Sequence, residues 1–209
     1  MKAFLIIFVC CFIAYLIFFG FISSKKPIAE TWKLPIRTSD RQDWATVLMD
    51  HAAHFKALRA PFGPVKLRYH TGIDIRNKSY TISGEPVYAI AAGAVIEIAD
   101  PQPQRRIVIE HTLPDQTKVW SAYIHIVDET VKVGDRVDTE TIIARLLNNA
   151  ELELYGQHYH HVHLEIMKKL PPDVAEFHQR KTFTCYTEQE VDEYFYDAEA
   201  FLKEHFLNR

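Results

Sequence analysis

The chain has 209 residues, 48% of them hydrophobic and 12% aromatic, which excludes a disordered chain and leaves room for one domain with a sizeable core plus extensions. All acidic residues follow Lys26, and beyond that point 21 basic residues face 27 acidic ones, a net charge of about −6 that argues against nucleic acid as a partner. The same balance gives no electrostatic reason to adhere to an anionic surface.

The N-terminus differs from the rest. Ala3 to Ile22 is twenty residues without a charge, the length that crosses the hydrocarbon of a bilayer if helical. The run is longer than the apolar core of a cleaved signal peptide, and no small-x-small cleavage site follows it. A signal-anchor helix over 1–24 is therefore expected, with a cleaved signal peptide as the alternative. "IFVC" before Cys11 lacks the small residue of a lipidation site. Cys10 and Cys11 lie inside this run, and Cys185 stands alone beyond it, so the rest of the chain has no internal disulfide.

Residues 25–60 read as a mixed linker with two prolines, followed by an amphipathic helix over 39–59. Ser39 and Gln42 have capping-box spacing. Trp44, Val47, Leu48, Phe55 and Leu58 recur at helical intervals, and Pro61 ends the run. His51 and His54 in this stretch read as packing or surface residues.

Over 61–170 the period shortens to two. "GEPVYAIAAGAVIEIAD" is rich in small and branched residues. "RRIVIEH" and "TKVWSAYIHI" alternate on either side of "TLPDQ", a hairpin candidate. "VKVGDRV", "TIIARL" and "HVHLEI" follow as further short strands. A mainly β domain is expected, an antiparallel sandwich or barrel of many short strands. The tail, 171–209, returns to helix: Thr187 and Glu190 have capping-box spacing, and Val191, Tyr194, Phe195, Ala198, Leu202 and Phe206 form a helical stripe.

Two stretches carry chemistry. In "HVHLEI", read as a strand, His161, His163 and Glu165 share one face while Val162, Leu164 and Ile166 take the core side. In "YHTGIDI", a straight strand would hold His70 and Asp74 about 13 Å apart, too far to share one ion. The chain must bend at Thr71-Gly72, where glycine permits it, with Ile73 and Ile75 anchoring the far side. Two neutral imidazoles and a carboxylate suit zinc, and three protein ligands leave a fourth position for water. No HExxH supplies a helical glutamate base, so the remaining histidines His161 and His125 are the candidates. His125 is expected to share a strand face with Tyr123 and Ser121. Glu165 reads as a partner of a ligand rather than a ligand.

In this order the motifs resemble the lysostaphin-type, LytM-like zinc endopeptidases. "YHTGIDI" resembles the opening H-x-G-x-D, "GEPVYAIAAGAV" the G-x-P-V-x-A-x-x-x-G-x-V segment, "WSAYIHI" the strand ending in Y-x-H, "VKVGDRV" and "TIIARL" the stretch before the last motif, and "HVHLEI" the closing H-x-H-x-E. The resemblance covers about half the chain, Pro61 to Met167. It implies His70, Asp74 and His163 as ligands of one zinc ion, His161 and His125 as catalytic histidines, and peptidoglycan peptides as substrate. With the N-terminal helix it implies a single-pass protein whose catalytic domain lies outside the cytoplasmic membrane.

The chain departs from the family at "NNAELELYGQHYH", which replaces a glycine-rich turn beside the cleft. That leaves substrate preference open and keeps an inactive binding or regulatory module as the alternative function. His158 and His160 form a second H-x-H and read as loop residues, because only the later pair is followed by core-facing alternation. His111 and His178 have nothing placing them at the cleft. A biotin- or lipoyl-carrier reading of "VKVGDRVDTETIIARL" fails for want of a lysine at a hairpin tip.

Overall fold

The computed structural model describes residues 27–61, 66–78, 84–99, 103, 105–171 and 184–207. The expected membrane helix and His178 lie outside them. Among the described residues no helix is long and apolar enough to cross a membrane.

The chain is mainly antiparallel β. Its strands are β1 (Val47–Leu48), β2 (Leu58–Arg59), β3 (Arg68–Tyr69), β4 (Ile73–Asn77), β5 (Pro86–Tyr88), β6 (Gly93–Ala99), β7 (Arg106–Thr112), β8 (Lys118–Ile124), β9 (Ile126–Val127), β10 (Arg136–Val137), β11 (Ile142–Leu146), β12 (Val162–Met167) and β13 (Phe195–Tyr196). The large sheet runs β1-β4-β12-β8-β7-β6-β10, with β13 beside β12. A second sheet runs β5-β11-β9, and β2 pairs with β3. The even-numbered positions of β12 face the core as the alternation requires: Val162, Leu164 and Ile166 are fully buried with Ile73, Ile75, Ile107, Ile109 and Tyr123. Each such aliphatic side chain contributes about 1.5–3 kcal/mol.

The expected helix over 39–59 does not form. Asp40 Oδ1 accepts from the Gln42 and Asp43 amides, and Asp43 caps a 3-10 turn at Trp44–Thr46. A second 3-10 turn follows at His51–Ala53, and β1 lies between them, paired with the edge of β4. Side-chain turns at these aspartates compete with helix, and pairing to an open sheet edge decides against it. The preceding stretch is no free linker from Pro27 onward. Trp32, Leu34 and Ile36 alternate into the core, and Arg41 buries its guanidinium against the Leu34 and Ala89 carbonyls (2.8 and 3.1 Å).

The tail is helical in two pieces. Thr187 and Glu190 form the expected capping box for α2 (Glu188–Tyr194), and α3 spans Ala198–Leu207. Between them β13 takes the edge of β12 at Ile166 and Met167, beyond the point where β4 stops at Leu164. An unpaired stretch of a central strand recruits backbone, and that interrupts the helix. "NNAELELYGQHYH" also holds a helix, α1 (Asn149–Tyr155), with its own capping box from Asn148 and Glu151.

Candidate metal centre

Strand pairing builds the site. β4 and β12 are antiparallel, with Asp74 directly opposite His163. Directly opposed side chains share a sheet face, so the two project together. His70 lies before β4, and the chain turns at Thr71-Gly72 to bring it over the same point. Gly72 is required by proximity: a Cβ there would collide with the Leu164 carbonyl oxygen and stand 2.8 Å from the carbonyl carbon. One ligand atom each from His70, Asp74 and His163 lies within 4.8 Å of the others. His70 Nε2 is 3.1 Å from Asp74 Oδ1 and 2.8 Å from His163 Nδ1, which is 2.9 Å from the same Asp74 oxygen.

The outward atoms of these ligands are occupied. His70 Nδ1 donates to the His54 carbonyl (3.0 Å), which leaves Nε2 to face inward. The His70 backbone is held on both sides, by Ala57 and Lys56 (2.9 Å each). His163 Nε2 donates to Glu165 Oε1 (3.2 Å), which also accepts from Thr71 Oγ1 (2.5 Å). Arg59 pairs with Asp74 Oδ2 and leaves Oδ1 to the centre. A donor set with two fixed tautomers and one free carboxylate oxygen fits a zinc ion.

Charge follows this wiring. Burial pushes His70 down to about 4. Burial would also lower His163, but hydrogen bonds to Asp74 and Glu165 outweigh it and hold the ring up at about 9. Burial would raise Asp74, yet its contacts with His161, His163 and His70 keep the carboxyl well below its usual range. A cation entering the metal-free cluster must displace the proton that this environment favours on His163.

Both remaining candidates reach the centre. His161 Nε2 lies 3.3 Å from Asp74 Oδ1. The His125 ring stands 5.1 Å from that of His161 and 6.2 Å from that of His163. His125 does not get there along the expected strand face. Tyr123 and Ser121 point into the core, and His125 adopts φ +66°, which ends β8 and turns its side chain to the opposite face. Its Nδ1 donates to the Pro103 carbonyl (2.8 Å), and burial keeps it well below the usual histidine range.

Of the other histidines, His160 contacts Arg76, and the His158 ring lies tilted against that of Tyr159 at 4.0 Å. His111 is a core residue. Three contributions went unread in the sequence: the His54 carbonyl, Arg59 and Tyr159, whose ring lies 4.7 Å from that of His125. The Asn-x-x-Glu spacing at Asn148 was a usable signal for the helix that delivers Tyr159. Nothing local marks Arg59.

The profile of Peptidase family M23 matches residues 68–174, about half of the chain. The chain belongs to this family of lysostaphin- and LytM-like zinc metallopeptidases, and its His–Asp–His metal-binding triad is intact. No curated protein matches it by sequence. Among solved structures, the SpoIIQ–SpoIIIAH pore-forming complex matches at 20% identity and TM-score 0.48, over 67% of this chain and 85% of that one. The catalytic domain of the antimicrobial peptidase lysostaphin from Staphylococcus simulans matches at 19% and 0.45, over 74% and 92%. A zinc-containing peptidase from Vibrio cholerae matches at 23% and 0.43, over 68% of this chain and 37% of that one.

Proposed function

We propose that the chain is an endopeptidase that hydrolyses amide bonds in peptidoglycan cross-links or stems, with His70, Asp74 and His163 holding one zinc ion. The observation that carries this reading is the wiring of the triad: each outward atom is fixed by a neighbour and each inward atom converges on one point. Zinc, when bound, supplies a Lewis acid that polarises the substrate carbonyl and lowers the pKa of water.

The chain's own residues do the rest. His125, neutral and donating through Nδ1, keeps the lone pair of Nε2 for the proton of the attacking water. His161, against Asp74, offers its Nε2 proton to the oxygen that becomes negative as the carbonyl is attacked. Glu165 and the His54 carbonyl keep the two ligand rings from rotating. The uncharged run over 3–22 supports a place outside the cytoplasmic membrane, tethered by that segment.

Mass spectrometry of a peptidoglycan digest, with and without chelator, tests metal dependence and locates the cut together. Cleavage should require zinc at one ion per chain. His163→Ala should lose both the ion and the products; a variant that still cuts would overturn the reading.

A further inference from the structure

Arg68 lies two residues before His70 on β3, directly opposite Arg59 on β2. Opposed residues of an antiparallel ribbon present their side chains to the same side. Arg59 reaches Asp74 from that side, so Arg59 borders the metal centre and Arg68 stands across the ribbon from it. Their situations differ. Arg59 has a carboxylate partner in Asp74. Arg68 donates through Nη1 to the Ala60 carbonyl (2.9 Å) and meets no carboxylate among the described residues. Burial, and after it the like charge of Arg59, lowers the pKa of Arg68.

Two like charges directly opposed, one of them half-buried, weaken a two-residue ribbon. A neutral side chain at 68 would fold at lower cost. An anion on the remaining edge of the Arg68 guanidinium would offset both the repulsion and the lost hydration, and the planar fork matches a carboxylate. The place is suited to substrate. Arg68 stands two residues before the ligand His70, whose amide pairs with the Ala57 carbonyl at the end of the same ribbon, so the proposed anion site adjoins the segment that carries a metal ligand.

We propose that Arg68 is a carboxylate-binding subsite, which holds a free carboxylate of the substrate peptide beside the amide that is cut. The proposal rests on the peptidase reading and gives it a substrate class: acidic peptides over amidated ones.

The test uses the zinc-loaded full chain and a cross-linked stem-peptide dimer prepared from peptidoglycan. Two further dimers carry the same sequence with either the terminal or the side-chain carboxylate converted to the carboxamide. One of the two amidations should lower kcat/KM by about ten- to a hundredfold, chiefly through KM, and its identity tells which carboxylate is held. Arg68→Gln should bring the free-acid dimer down to that level and remove the discrimination. Arg68→Lys, which keeps the charge without the fork, should restore part of it. A wild-type chain indifferent to both amidations, or an Arg68→Gln variant that keeps the preference, overturns the subsite. Calorimetric binding of the three dimers to chelator-treated protein separates the two readings. Preference there without cleavage by the loaded chain sinks the peptidase and leaves the subsite standing, and cleavage without preference does the reverse.

Discussion

The large sheet buries a histidine-bearing network on each face, and the two have opposite chemistry. On the core face His111 Nδ1 donates to the Ala92 carbonyl (2.9 Å), and Nε2 meets Ser121 Oγ (2.7 Å). Ser121 continues to the Tyr123 hydroxyl (3.1 Å), which accepts from the Ile90 amide (2.9 Å). Every polar atom of that chain has a partner, and burial holds His111 down at about 4 and Tyr123 up at about 12. On the other face the outward nitrogens of His70 and His163 are occupied, and the inward ones are left 2.8 Å apart. Burial is common to both clusters and distinguishes nothing. What separates a structural histidine from a ligand is whether its hydrogen-bond chain closes on the protein or stops at a shared point.

Gly72→Ala strikes the site face hardest. The new methyl meets backbone, the Leu164 carbonyl, and no side chain can swing away to admit it. β4 must separate from β12 at the pair next to Asp74 and His163. Destabilisation of about 3 kcal/mol or more is expected, with loss of zinc. Urea unfolding and metal content measure the two. A variant with the wild-type midpoint and a full complement of zinc would show that strand contact does not set the ligand spacing.

The core face answers to acid instead. His111 has a folded-state value of about 4 against 6.5 in the unfolded chain, so between those values the unfolded state binds more protons. Its contribution is complete above pH 6.5 and is lost as pH falls towards 4. At pH 5 about 2 kcal/mol should be gone. Unfolding of zinc-free protein at pH 7.5 and 5, compared between wild type and His111→Asn, isolates this histidine from the others. Parallel losses in the two proteins would mean that the core network tolerates the proton. His163 has the opposite sign: held up at about 9, it stabilises the metal-free fold below pH 6.5 and stops doing so as pH rises through 9.

Much of the difference between the faces is legible in the chain. The alternation of "HVHLEI" sorts ligands from core, and His70 to Asp74 cannot share an ion without a bend. These are period and reach, which one strand carries within itself. The helix expected over 39–59 failed because its apolar spacing also fits turns and a two-residue strand once β4 offers an edge. Residues 25–38 read as a linker because Pro27 and Pro35 interrupt them, yet Trp32, Leu34 and Ile36 belong to the core. His125 reaches the site through a left-handed backbone at one non-glycine residue, which no residue pattern announces. Arg59 and the His54 carbonyl act across the fold, on ligands 15 and 16 residues away, so they become visible only when β2 and β3 pair.

The finest distinction between the faces is made by Glu165. It turns His163 from a histidine that could close its own hydrogen bonds into one with Nε2–H fixed outward and Nδ1 turned inward. Glu165→Gln keeps the shape and an acceptor oxygen, so the ring orientation survives in part while the charge behind it is lost. A ligand backed by a neutral amide is less basic than one backed by a carboxylate. Zinc affinity, measured by competition with a chelating dye, should fall by about tenfold, or about 1.4 kcal/mol. The fold should hold, because Thr71 Oγ1 can still donate to the amide oxygen. Ser121→Ala is the matched change on the core face: it opens the His111 chain and should leave zinc affinity where it was. If the two substitutions changed zinc affinity alike, the faces would be coupled through the sheet, and the closed chain on the core side would belong to the metal site after all.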